Sequence, residues 1–334
     1  MTEAGYQNRR MRRLRKTLRI RQMLQQVHVR PDDLVMPLFV CGGENVSNPI
    51  ASMPGCSQLS VDQIILRVAD LLAVGVNAVI LFGIPEYKDA IGSAALQAEG
   101  VVQTAIRAIK EKYSDVIVIA DLCMCEYTDH GHCGVLDSKG VDVVNDATLE
   151  LLAQQACSLA QAGADIIAPS GMMDHMVATI RSGLDSAGFQ EIAIMSYAVK
   201  YASNCYGPFR DAANGAMKFG DRKTYQMDYQ NIDQAYLEAE HDIAEGVDML
   251  MVKPAQFYLD IIYRLKSKFP LPMVAYQVSV EYSMIKAAAA AGYIDEAKVV
   301  HESLVAIKRA GADLIITYFA YDYAKLWIEK NGNY

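Results

Sequence analysis

The sequence predicts an α/β fold, a single (β/α)8 TIM barrel preceded by an extended N-terminal arm, and three observations carry that expectation. From Asp32 onward, short apolar strands alternate with helical stretches, the pattern of a parallel sheet with helical crossovers. Eight strand candidates can be counted, each apolar on both faces as buried parallel strands usually are. Four helix-to-strand turns reuse one motif, Gly75-Val76-Asn77, Gly163-Ala164-Asp165, Gly246-Val247-Asp248 and Gly311-Ala312-Asp313, each closing a helical segment with a glycine suited to a left-handed cap. Eight such units fit a closed barrel. A doubly wound open sheet is disfavoured because no G-x-G-x-x-G follows the first strand and no P-loop occurs, which also leaves nucleotide binding without support.

Residues 1–31 form the arm. They carry nine Arg/Lys against one acid, so that the arm is +8 and the remainder −16 within a net charge of −8. Met11, Leu14, Leu18 and Val27 make the segment amphipathic and helix-capable, in need of a surface to pack on. An Arg-rich arm can bind nucleic acid, direct import into an organelle or lie on an acidic neighbouring subunit. Subunit contact is the reading preferred here, with no nucleic-acid partner.

Residues 32–334 form the catalytic barrel. The predicted strands are Leu34–Val40, Asn77–Gly83, Val116–Leu122, Asp165–Ser170, Ile192–Tyr197, Asp248–Pro254, Pro272–Val278 and Asp313–Phe319. Helical stretches such as Asp146–Ala162, with Leu149, Leu152, Cys157 and Leu159 broadly on one side, supply the outer layer. The stretch around 201–231, with Gly207, Pro208, Gly215 and Gly220, is too long for an ordinary connection and reads as an active-site lid.

The 334 residues are 52% hydrophobic and 21% charged, enough for a sizeable core. No run of about 18 apolar residues and no secretory h-region occur, so a soluble cytoplasmic protein without a membrane partner is expected, with organellar import left open. Seven cysteines concentrated in one cluster fit a reducing compartment, with Cys41, Cys56, Cys157 and Cys205 as unpaired thiols.

That cluster follows the third strand: Asp121-Leu122-Cys123-Met124-Cys125, then His130, His132 and Cys133. Three thiols fall one short of a closed structural zinc site and leave a coordination position for water or substrate. In an extended strand Cys123 and Cys125 would stand roughly 6.6 Å apart at Cα, whereas thiolates on one zinc lie about 3.8 Å apart. The chain is therefore expected to curl just after Asp121. His132 is open to three roles, as a ligand, as a hydrogen-bonding neighbour of a ligand, or as a general acid or base. His130 reads as loop polarity.

The other strand ends are also polar, and in a barrel chemistry collects there. Ser170 ends the fourth strand, Tyr197 and then Lys200 the fifth, Lys253-Pro254 the sixth, Tyr276 and Ser279 the seventh, Thr317 and Tyr318 the eighth. Lys253 closes the apolar run Met249-Leu250-Met251-Val252. Poor solvation and a second cation, Lys200, would lower its pKa and give the neutral amine that attacks a ketone. Arg210, Lys218, Arg222 and Lys223 of the lid suit a carboxylated substrate.

Met251-Val252-Lys253-Pro254-Ala255 with Tyr258-Leu259-Asp260, Met195-Ser196-Tyr197 with Lys200-Tyr201-Ala202-Ser203, and Tyr206-Gly207-Pro208-Phe209-Arg210-Asp211-Ala212-Ala213 together resemble the porphobilinogen synthase family, also called delta-aminolevulinic acid dehydratases. Cys123 to Gly134 is similar to the metal loop of the zinc type, and the likeness runs from about Asp32 nearly to the C-terminus. The resemblance implies condensation of two 5-aminolevulinate molecules to porphobilinogen with loss of two waters, in tetrapyrrole and haem biosynthesis.

By the same resemblance, Lys253 forms a Schiff base, and Lys200 depresses its pKa and forms a second one. Catalytic Zn2+ sits on Cys123, Cys125 and Cys133. Arg210 and Arg222 bind one carboxylate, Ser279 and Tyr318 the other. Asp121 and Ser170 orient substrate groups, and Tyr206 and Gln226 are lid contacts. The resemblance further implies a homo-octamer with arms wrapping neighbouring barrels, and an allosteric Mg2+ at Glu238. Three departures from the family pattern occur: Val280 in place of glycine, Gly171 in place of Asp or Ala, and His175-Met176 in place of Gly followed by Arg or Gln. A Schiff-base aldolase and a zinc-binding barrel without turnover are the rival readings.

Overall fold

The computed structural model describes residues 9–332, so the first eight residues of the predicted arm and the last two of the predicted barrel lie outside the described residues. The strands, in chain order, are β1 (Leu34–Cys41), β2 (Ser47–Pro49), β3 (Ser57–Leu59), β4 (Ala78–Ile84), β5 (Ile117–Leu122), β6 (Ile166–Pro169), β7 (Ala193–Lys200), β8 (Met249–Lys253), β9 (Met273–Gln277) and β10 (Leu314–Thr317). The helices are α1 (Leu18–Met23), α2 (Val61–Ala73), α3 (Val101–Lys112), α4 (Asn145–Gln161), α5 (Met176–Ser186), α6 (Gly207–Ala212), α7 (Gln234–Ala244), α8 (Leu259–Lys268), α9 (Ser279–Ala290), α10 (Glu296–Ala310) and α11 (Ala320–Asn331).

Strands β1, β4 and β5 through β10 pair in parallel, and β10 returns to β1 through Leu34 opposite Ile315, so the sheet closes. This is the predicted eight-stranded barrel, with all eight predicted strands present. The sequence reading missed β2 and β3, a short antiparallel pair that extends the sheet from β1. At three residues each, Ser47-Asn48-Pro49 and Ser57-Gln58-Leu59 are too short to show an alternating apolar pattern.

Each barrel strand is buried nearly from end to end, as in β1 and β9. The helices bury one stripe: Val102, Ala105, Ile106 and Ile109 on α3, and Val300, Ser303, Leu304 and Ile307 on α10. That three-and-four spacing keeps the apolar side chains against the barrel. Asp295 caps α10 by accepting the Lys298 N–H at 3.2 Å, and Gly311 ends it at φ +121°.

The recurrent Gly-x-Asp turn has a physical explanation. Asp165, Asp248 and Asp313 each accept, at 2.7 Å, the N–H of the second or first residue of the preceding region's strand: Val118, Ile194 and Met273. Each returns its own N–H to the carbonyl of that same residue. The glycine, at φ +103°, +96° and +121° in turn, reverses the chain so that the aspartate arrives at the barrel floor. Lysines reinforce two of these clamps, Lys110 on Asp165 at 2.6 Å and Lys266 on Asp313 at 2.7 Å. The fourth turn carries Asn77, whose amide donates to Asp32 instead.

Through residues 9–24 the arm has no buried residue. Met11, Leu14, Leu18, Met23 and Leu24 are exposed, Met23 to 76%, and α1 has no buried residue. The chain joins the barrel at buried Val29, whose carbonyl accepts the Tyr323 hydroxyl at 3.2 Å. No helix among the described residues is long and apolar enough to cross a membrane.

Asp165→Ala removes one charged hydrogen bond and one half-exposed ion pair from the floor, well away from the strand C-termini. It is expected to lower the unfolding free energy by about 1 kcal/mol, read as a shift of the urea midpoint.

Candidate active site

Strands β7 and β8 set the geometry. Their register changes by one residue between Ser196 and Val199, a bulge in β7, after which Lys200 stands directly opposite Lys253. The sequence reading ended this strand at Tyr197; the bulge carries it on to Lys200 and brings both lysines to one level at the barrel mouth.

Lys253 is 5% exposed, and its Nζ lies 4.4 Å from the centre of the Tyr276 ring, 4.9 Å from Tyr197, 5.1 Å from Phe209 and 5.3 Å from Tyr206. Burial first, then the Lys200 cation, push its pKa down to about 7, against the opposing charges of Asp121, Glu126 and Cys125. Lys200 Nζ donates to the Ser170 carbonyl at 2.5 Å, and the Ser170 hydroxyl donates to Asp121 at 3.2 Å. Burial, and then Glu126, raise Asp121 to about 8, so that this carboxyl keeps its proton near neutrality. The Tyr206 hydroxyl donates to the carbonyls of Tyr201 at 2.7 Å and Lys253 at 3.3 Å, which ties the lid's first turn to the end of β8.

After Leu122 the chain curls as expected, and Cys123 and Cys125 meet with their sulfurs 3.3 Å apart. Cys133 completes a trio whose sulfurs all lie within 4.8 Å of one another, a group that could hold a metal ion. Hydrogen bonds from Cys123 and Cys125 hold the Cys133 thiol well below its ordinary pKa, and Arg222 adds to this. Glu126, buried and raised to about 8 chiefly by burial, accepts the Cys125 thiol at 3.2 Å. It was missed in the sequence; its position directly after Cys125 was the available signal.

The lid docks on this cysteine loop. Lys218 N–H donates to the His130 carbonyl at 3.1 Å, and Arg222 donates to the Gly131 carbonyl at 2.8 Å. His132 meets the Tyr225 hydroxyl through Nδ1 at 3.1 Å and the Phe219 carbonyl through Nε2 at 3.2 Å. Both its nitrogens are thus engaged by the lid. His130, expected as loop polarity, is buried, with Nε2 3.2 Å from the Ala90 carbonyl. At the other end of the lid, Phe209 packs edge-on to Phe82, 5.0 Å between centres, over the mouth. The Phe209 N–H donates to the Ser279 hydroxyl at 3.0 Å.

Arg210 Nε, Arg222 Nε and Gln226 Nε2 are buried donors without an acceptor among the described residues. Tyr318 meets Tyr276 hydroxyl to hydroxyl at 3.0 Å. The mouth therefore gathers Lys253, Lys200, Asp121, Ser170, Tyr206, Arg210, Arg222, Ser279, Tyr318, His132 and the three cysteines, whereas Gln226, whose N–H donates to the Arg222 carbonyl, lines the polar cavity that also holds Glu238. Glu238 stands apart on α7, where it accepts from Gln234 at 3.3 Å and lines a polar cavity of about 430 Å³ with Asp142, Asp174 and Asp228. At Gly171, a Cβ would meet its nearest neighbour at 3.8 Å, so that space does not require glycine there.

A family model described as delta-aminolevulinic acid dehydratase matches residues 8–326. The chain is 56% identical over 322 residues to a delta-aminolevulinic acid dehydratase of Halalkalibacterium halodurans, covering 96% of this chain and 97% of that one. It is 52% identical over 316 residues to one of Staphylococcus epidermidis, covering 95% and 98%. Its fold is similar, with a TM-score of 0.94 and 45% identity over 96% of this chain and 92% of the other, to a Toxoplasma gondii delta-aminolevulinic acid dehydratase (porphobilinogen synthase) in complex with the reaction product porphobilinogen.

Gly131 lies at φ +76°, and a Cβ there would meet the Ala216 carbonyl at 2.5 Å. Gly131→Ala is therefore expected to push the lid off the cysteine loop, seen as several-fold faster cleavage within 213–225 in limited proteolysis.

Proposed function

The chain belongs to the delta-aminolevulinic acid dehydratase family, and on that premise we propose that it joins two 5-aminolevulinate molecules into porphobilinogen with loss of two waters, a lyase reaction of tetrapyrrole and haem biosynthesis. The observation that carries the residue assignments is the level pair of buried lysines among aromatic rings, one of them lowered to about 7.

In this reading the neutral Lys253 amine attacks the ketone of one 5-aminolevulinate, water leaves, and an imine forms. Lys200 keeps Lys253 deprotonated and forms the second imine. Asp121, protonated near neutrality, hands a proton to the departing oxygen, and Ser170 orients it. Arg210 and Arg222 grip one substrate carboxylate, with Gln226 beside them, and their buried unpartnered donors support that role. Ser279 and Tyr318 hold the other, and Tyr206 fixes the lid to the end of β8.

Three thiols so close suit a soft cation, and the 3.3 Å Cys123–Cys125 contact and the 4.8 Å bound on the trio bracket the roughly 3.8 Å between thiolates on a tetrahedral zinc. Zinc held by Cys123, Cys125 and Cys133 would supply Lewis acidity or an activated water at the second substrate. His132, with both nitrogens on lid groups, neighbours that ion rather than binding it. Glu238, whose pKa is raised by burial and by Asp174, is the candidate ligand for an allosteric magnesium. The exposed apolar residues of the arm support a homo-oligomer, an octamer in this reading, whose arms cover neighbouring barrels. Free cysteines and bacterial relatives support a cytoplasmic location.

Four outcomes are expected. Chelator-stripped protein should form no pyrrole from 5-aminolevulinate until zinc is restored; absence of pyrrole in both states, with the protein folded, would sink the reading. Trapping of the Lys253 imine by borohydride should rise with pH through about 7, because only the deprotonated amine reacts. Lys200→Met removes the repelling cation, so the midpoint should move upward and trapping at pH 7 should slow. Deleting residues 1–28 should shift the particle to smaller species by light scattering; an unchanged size would remove subunit contact from the arm.

A further inference from the structure

Glu281 is 1% exposed, and its partners are backbone N–H groups from two separate elements. One oxygen accepts the Gln256 N–H at 2.6 Å; the other accepts the Val278 N–H at 2.8 Å and the Ala255 N–H at 3.4 Å. The Val278 bond is ordinary capping, a glutamate at the third helical position reaching back to its own helix start. The bonds to Ala255 and Gln256 serve no helix of Glu281's own. They reach 26 and 25 residues back along the chain, to the loop that leaves β8 directly after Lys253 and Pro254. α9 begins with Ser279, whose hydroxyl faces the lid through Phe209. A single carboxylate thus joins the element that ends in the imine-forming lysine to the element that opens with the carboxylate-binding serine.

We propose that Glu281 is a positioning residue that sets the span between the Lys253 amine and the Ser279–Tyr318 carboxylate anchor, and so selects keto acids by the distance between ketone and carboxylate. The inference rests on the reading of Lys253 and Ser279 given above. Lys253 attacks a ketone that is tethered at its far end by the substrate carboxylate; the tether helps only if both ends are held at a fixed separation. Glu281 touches neither end.

The test uses the zinc-loaded full chain and two ketones. 4-Oxopentanoate keeps the ketone-to-carboxylate spacing of 5-aminolevulinate, whereas acetone has no carboxylate. Borohydride trapping, with mass mapping to Lys253, gives a rate for each. Wild-type protein should trap the keto acid well ahead of acetone. Glu281→Asp keeps the charge but is one methylene too short to hold the Val278 N–H and the Ala255–Gln256 pair at once. It should lose about tenfold of that advantage while its acetone rate stays the same. Glu281→Gln, with one accepting oxygen fewer, should lose part of it. An unchanged advantage in both variants, or a parallel fall of keto-acid and acetone rates, overturns the proposal. Failure of both variants to fold would assign Glu281 to stability alone and overturn it equally. Absence of any trapping at Lys253 in wild-type protein would instead count against the reaction reading itself.

Discussion

Holding two ammonium groups level with each other in a place nearly sealed from water is the constraint on which the rest of the site depends. Burial and mutual repulsion both oppose charge on Lys253, and the ring faces of Tyr276, Tyr197, Phe209 and Tyr206 compensate only in part. Lys200 has a carbonyl acceptor in Ser170, whereas Lys253 has aromatic rings. Ring faces replace hydration poorly, in keeping with the lowered pKa of Lys253. The opposing acids respond to the same dryness, since Asp121 and Glu126 are both raised to about 8. Groups that would be fully charged in water are thereby poised close to neutrality, where proton transfers cost little.

The lid belongs to this arrangement because it supplies the dryness. Phe209 closes the mouth over Phe82, and Arg222 brings a buried cation beside the cysteine trio. Burial disfavours charge on Arg222, but the neighbouring Cys133 and Cys125 outweigh it and the guanidinium's pKa stands above its ordinary value. Arg222 in turn helps to lower the Cys133 thiol. Lid, cysteine loop and buried arginines are one mutually dependent unit in which each part removes water from the others.

Much of this was legible in the sequence, for identifiable reasons. Buried parallel strands are apolar on both faces, so all eight barrel strands announced themselves, and a (β/α)8 barrel concentrates its polar strand ends at one mouth. Lys253, Asp121 and the cysteines could be picked out on that basis. The turn motif was visible, although its aspartates were read only as strand entrances; that each clamps a neighbouring backbone N–H depends on pairing between segments some 40 to 55 residues apart. The β2–β3 pair was too short to carry a pattern. Glu126 and Glu281 were passed over because a lone glutamate usually faces solvent, and only tertiary context buries it. Ser279 was read as a substrate contact, but its hydroxyl also receives the lid's Phe209 N–H, a pairing no local pattern encodes.

The bulge in β7 has a consequence for how the chain can diverge. Lys200 is level with Lys253 only because one additional residue is taken up between Ser196 and Val199. Exchanging a side chain in that interval leaves the count intact. Removing or adding a residue would slide the strand by one position and turn every later side chain to the opposite face. Descendants of this sequence can therefore vary the letters of that strand more freely than its length, and an alignment gap there would mark the point at which the lineage abandoned its paired lysines.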